Sequence, residues 1–154
     1  MKPVKINAKQ ATSTEEVMQL LQDERYNTVI TYCDHYKGNC TGDYYTAKEF
    51  ERRVKEYGVN WYQNMDDRGI LEIFFVENKI EEIYTLVRKR LELLRKIEYT
   101  RYCDNSRSVE EREKDVKVYQ NEMYNMFECN LDNFYISSRL YSYEMSNRDE
   151  NKVL

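Results

Sequence analysis

The most chemically varied stretch of the sequence runs from residue 33 to residue 45. It contains the only histidine, His35, together with the thiols of Cys33 and Cys40 and the carboxylates of Asp34 and Asp43. Two glycines and three tyrosines lie among them. The stretch follows a predicted strand and precedes a predicted helix, which is where α/β proteins commonly bind ligands. It is therefore the first place to test for a metal site or a catalytic site.

A zinc site in this stretch would use Cys33, His35 and Cys40, with Asp43 or a distant cysteine as the fourth ligand. Structural zinc sites usually take their ligands from paired knuckles such as C-x2-C, and the sequence contains none. The spacing therefore does not favour a metal ion, and we predict neither a metal site nor a cofactor.

A cysteine nucleophile would need His35 as its general base and Asp34 or Asp43 to orient the imidazole. Cys33 and His35 would share one face of an extended strand, but no oxyanion-hole signature accompanies them. The segment from Lys37 to Gly42 also lacks the residue order of a phosphate-binding loop. A small cysteine-dependent enzyme stays an alternative, and we predict no catalytic residues.

The simplest interpretation of residues 33–45 is an exposed, turn-rich loop that carries aromatic side chains. Tyrosine and tryptophan bury a large area at low entropic cost and are enriched at protein interfaces. We predict that the following residues contact a partner: Tyr36, Tyr44, Tyr45, Trp61 and Tyr62. The alternative, that several of them complete a small core, is left open by the sequence.

A second candidate surface lies on the third predicted helix. We call it the basic stripe, and its residues are Arg88, Lys89, Arg95 and Lys96. Nucleic-acid binding would combine these cations with stacking on Tyr99 and Tyr102. The alternative is a solvated helix face, because acids open the helix and Glu92 is four residues from both Arg88 and Lys96. A nucleic-acid-binding regulator is therefore the alternative to a protein-binding module.

The elements that must position these residues are marked by helix-start signals. Capping boxes, in which a cap side chain is followed three residues later by glutamate, begin at four positions: Ser13, Thr46, Asn78 and Ser108. Strands are predicted at residues 4–7, 28–33, 59–64 and 70–77, with the last two forming a hairpin. The helix after residue 80 has a broad apolar face, which predicts packing on the sheet and on the next helix.

These elements predict an α+β fold, in which helices pack on a small mixed sheet of about three to four strands. A helical hairpin is expected towards the C-terminus. A short terminal helix, or alternatively a strand, is expected from the spacing of the following residues: Leu131, Phe134, Tyr135, Ser138, Tyr141 and Met145. We expect one domain over residues 1–146 and a frayed tail over residues 147–154.

Composition limits the classes of function. The net charge of −4 does not favour simple polyanion binding, and the aromatic content of 14% argues against intrinsic disorder. No apolar run suits a membrane span or a signal peptide, and four irregularly spaced cysteines are typical of reduced thiols, so we expect a cytoplasmic protein. The sequence favours a non-catalytic adaptor or inhibitor that binds another protein, with homodimerisation as an alternative. Its Tyr-, Asn- and Lys-rich composition suggests a phage or mobile-element origin, without mechanistic weight.

Overall fold

A computed structural model describes residues 2–34, 40–58 and 70–136. The chain has an α+β fold, as predicted. The helices and strands follow in this order: β1 (Val4–Ile6), β2 (Ala8–Ala11), α1 (Thr14–Leu21), β3 (Thr28–Asp34), β4 (Cys40–Thr46), α2 (Ala47–Tyr57), β5 (Ile70–Val76), α3 (Ile80–Tyr102), α4 (Val109–Tyr124) and β6 (Phe127–Cys129).

The main sheet has four antiparallel strands in the order β2-β5-β3-β4. Strand β3 lies at its centre, where Thr31 is opposite Ile73 of β5 on one side and Asp43 of β4 on the other. A second sheet of two parallel strands joins β1 to β6, with Val4 opposite Phe127. The first strand therefore connects the N-terminus to the segment that follows the helical hairpin.

Residues 40–45 are not the loop that the sequence predicts, because they form most of strand β4. Gly42 and Asp43 lower the strand propensity of this segment. Every residue of β4 nevertheless pairs with a residue of β3, and this pairing outweighs the local preference. Strands β3 and β5 are confirmed. The strand predicted at residues 59–64, and with it the hairpin to residue 70, lies outside the residues that the structure describes.

The sheet separates two cores because successive side chains of a strand project from opposite faces. Ile30, Tyr32 and Phe74 lie in the core beneath α3, whereas Val29 and Phe75 lie in the core covered by α1 and α2. Neighbouring residues of β3 and β5 are thus buried on different sides. This arrangement explains why both strands carry adjacent apolar residues rather than a strict alternation of apolar and polar ones.

Three of the four predicted helix caps are confirmed. The hydroxyl oxygens of Ser13, Thr46 and Ser108 each accept a hydrogen bond from the backbone N–H three residues later, at 3.1, 3.1 and 3.2 Å. Each bond satisfies one of the backbone donors that a helix leaves unpaired at its start. The helix starts therefore depend on local chemistry that the sequence alone displays.

The cap predicted at Asn78 is wrong, because α3 starts one residue later with Lys79 as its cap. The Asn78 amide instead donates to the backbone oxygen of Lys5 and to the carboxylate of Glu82, each at 3.0 Å. A cap would use the side-chain oxygen of Asn78 as an acceptor, whereas the bonds formed here use its amide nitrogen as a donor. This side chain ties the start of α3 to strand β1.

Helices α3 and α4 form the predicted antiparallel hairpin. Lys96 lies over the ring of Tyr119, and nearer the turn Arg101 pairs with Glu113 at 3.2 Å. Partners that are later in α3 are thus earlier in α4, which is the signature of antiparallel packing. Val116 is the fully buried residue of α4, so this helix presents most of its surface to solvent.

The prediction of a further helix is wrong for residues 131–136, which form neither helix nor strand. Phe134 and Ile136 are nevertheless buried, and they pack into the core beneath α3. Their apolar spacing reflects burial of an irregular segment, and periodicity alone cannot separate this case from a helix. The rest of the predicted helix lies beyond the described part of the chain.

Asn130 connects the end of the hairpin to the main sheet. Its side-chain oxygen accepts from the Ala8 N–H at 2.8 Å, and its amide donates to the Ala8 carbonyl at 2.9 Å. The side chain thereby pairs with Ala8 as a neighbouring strand would, directly after strand β6 ends. The segment that follows the hairpin is held against the outer edge of strand β2 by this pair of bonds.

We expect Asn130→Ala to lower the free energy of unfolding by about 1–3 kcal/mol, because two hydrogen bonds to backbone groups are lost. Urea denaturation gives the value. Asn121→Ala is the matched control, since Asn121 is an exposed asparagine of α4. Equal stability of the two variants would contradict the role assigned to Asn130.

Candidate functional site

The predicted contact residues fall into two groups. Tyr36, Trp61 and Tyr62 lie outside the residues that the structure describes, so their role stays a prediction. Tyr44 is buried in the core beneath α3. Tyr45 is half-buried on the other face, with its ring 5.7 Å from that of Phe50. For Tyr44 the location corresponds to the core alternative that the sequence left open.

The structure describes only some of the residues of the candidate zinc site and of the candidate cysteine nucleophile. Cys33 is opposite Thr41 and Asp34 is opposite Cys40 in the β3–β4 ladder, whereas His35 lies outside the described ranges. Among the residues with described positions, no group of three His, Cys, Asp or Glu side chains is arranged to hold a metal ion. Cys103 and Cys129 are free thiols, and burial raises the pKa of Cys129.

The basic stripe follows one side of α3. Its two adjacent pairs, Arg88–Lys89 and Arg95–Lys96, are seven residues apart, which is about two helical turns. Arg95 and Lys96 are exposed, and Arg88 and Lys89 are half-buried two turns earlier. The guanidinium of Arg88 lies 5.9 Å from the ring centre of Tyr84. The ammonium of Lys96 lies 5.7 Å from the ring centre of Tyr119 on α4. Aromatic faces therefore hold one cation at each end of the stripe.

Glu92 lies on this side of α3, three or four residues from every member of the stripe. The helical spacing allows it to pair with Arg88 or Lys96, yet within the described part of the chain it forms no ion pair. The exposed carboxylate of Glu92 is therefore available to solvent. An ion pair at helical spacing is worth only about 0.3–0.5 kcal/mol, so side-chain entropy can outweigh it.

Helix α2 shows the opposite arrangement. Arg52 and Arg53 both bind Glu49, at 2.8 and 3.1 Å, and Lys55 binds Glu51 at 2.8 Å. Hydrogen bonds from Arg52, joined by those from Arg53, lower the pKa of Glu49 to about 2. Arg52, Arg53 and Lys55 thus form ion pairs within their own helix.

Two exposed tyrosines continue the stripe towards the end of α3. We call Tyr99 and Tyr102 the hairpin tyrosines, and their exposed fractions are 61% and 76%. Tyr99 follows Arg95 by four residues and Tyr102 follows it by seven, so both lie near the same side of the helix. The hairpin brings together a cationic surface and an aromatic surface on one rigid element.

Other exposed apolar side chains were not predicted as contact residues. Tyr57 continues the apolar spacing of Phe50 and Val54, but it is exposed as the last helical residue before Gly58. Tyr124 is the last residue of α4 and is also exposed. In both cases the exposure follows from the position of the residue at the end of its helix. A side chain there lies outside the core even when it continues the apolar spacing.

Comparisons with protein-family models, with curated proteins and with solved structures give no match for this chain. Among the helices that the structure describes, none has both the length and the apolar content required to cross a bilayer. The functional argument therefore depends on the surface chemistry of the hairpin.

Proposed function

We propose that this protein is a non-catalytic, cytoplasmic protein-binding module, acting as an adaptor or as an inhibitor of a larger macromolecule. The observation that supports the proposal is the exposure of the hairpin tyrosines beside the basic stripe. Large aromatic side chains that are left in solvent on a rigid helix can be buried by a partner at low entropic cost.

The hairpin also suits binding because its geometry is fixed before a partner arrives. Arg101 bonds Glu113 across the two helices, and Arg112 donates to the backbone oxygen of Arg101 at 2.8 Å. Arg107 in the turn bonds Asp104 at 2.9 Å and also contacts Asp115. A preorganised surface loses less conformational entropy on association than a flexible one does.

The test is a quantitative pull-down from the native host lysate after nuclease treatment. We expect a protein partner that is captured by the wild type and lost with Tyr99→Ala/Tyr102→Ala. A loss of about tenfold or more is expected, because buried tyrosines at interfaces commonly contribute about 2 kcal/mol or more. Tyr57→Ala, an exposed tyrosine of α2, is the matched control. Equal capture by all three proteins would contradict the proposal.

The nucleic-acid alternative has one observation in its favour, which is that Tyr99 lies one turn after the exposed cations Arg95 and Lys96. This arrangement would allow a base to stack beside a phosphate contact. The alternative predicts that capture disappears after nuclease treatment and weakens steeply with salt. A second copy of the chain is the other candidate partner, and sedimentation at several concentrations tests it.

A further inference from the structure

We draw no further inference here: the strongest candidate, the surface patch that Tyr99 and Tyr102 form at the end of α3, already carries the proposed function, and nothing in the described part of the chain shows what covers it.

Discussion

Val116→Asp is expected to lower the free energy of unfolding at neutral pH by about 4 kcal/mol, which corresponds to a pKa displacement of about three units for a buried carboxyl. Val116 is the fully buried residue of α4 and lies in the face that packs on α3. A carboxylate there must be desolvated or must displace the helix. Urea denaturation monitored by circular dichroism measures the loss.

The loss of unfolding free energy in Val116→Asp should increase as the pH rises. Burial raises the pKa of the new carboxyl in the folded state above its unfolded value of about 3.9. The unfolded state therefore releases the proton first as pH rises, so the variant loses stability between pH 4 and its raised folded pKa. Below about pH 4 the charge is absent in both states, and the difference from wild type should shrink.

Val118→Asp is the matched control, because Val118 lies two residues further along the same helix and is 54% exposed. Its effect should stay within about 0.5 kcal/mol, as is usual for surface positions. Similar losses in the two variants would show that the orientation of α4 differs from the one described. Docking of α4 also sets the contact between the ring of Tyr119 and Lys96 of the basic stripe.

Phe74→Ala is expected to lower the free energy of unfolding by about 3–5 kcal/mol, since it removes a fully buried aromatic ring and leaves a cavity. The Phe74 ring meets those of Tyr32 and Phe134 edge to face, at 5.6 and 5.5 Å between centres. Phe74 thus connects the central strands to the segment that follows β6. Urea denaturation again gives the value.

Phe74→Leu should cost less, about 1.5 kcal/mol or below, because much of the volume is retained. Tyr124→Ala is the control for loss of an aromatic residue as such, since Tyr124 is 79% exposed. A change below about 1 kcal/mol in Phe74→Ala would contradict the view that this aromatic group holds the core beneath α3 together.

The sequence by itself determined the elements whose causes are local. Ser13, Thr46 and Ser108 each cap a helix through a bond to a residue three positions away, and such a bond is visible in the order of the residues. The wide apolar face of α3 was visible for the same reason. Strands β3 and β5 were recognisable because they are buried on both faces and rich in β-branched and aromatic residues.

Tertiary structure decided the features whose partners are distant in sequence. Residues 40–45 form a strand because β3 pairs with them along their length, despite Gly42 and Asp43. Ala8 and Asn130 are separated by 122 positions and form two hydrogen bonds, and no local pattern records such a pairing. Long-range contacts of this kind override local propensity because they add burial and backbone bonds together.

The candidate surface divides in the same way. The basic stripe was visible in the sequence because residues at helical spacing must share a side of the helix. Whether Tyr44 or Tyr57 meets solvent depended on the sheet and on the end of α2. The separation of Glu92 from the stripe also required three-dimensional structure, since the spacing permits an ion pair that the side chains do not form. Local sequence thus places charges on a face, and packing decides which of them a partner can reach.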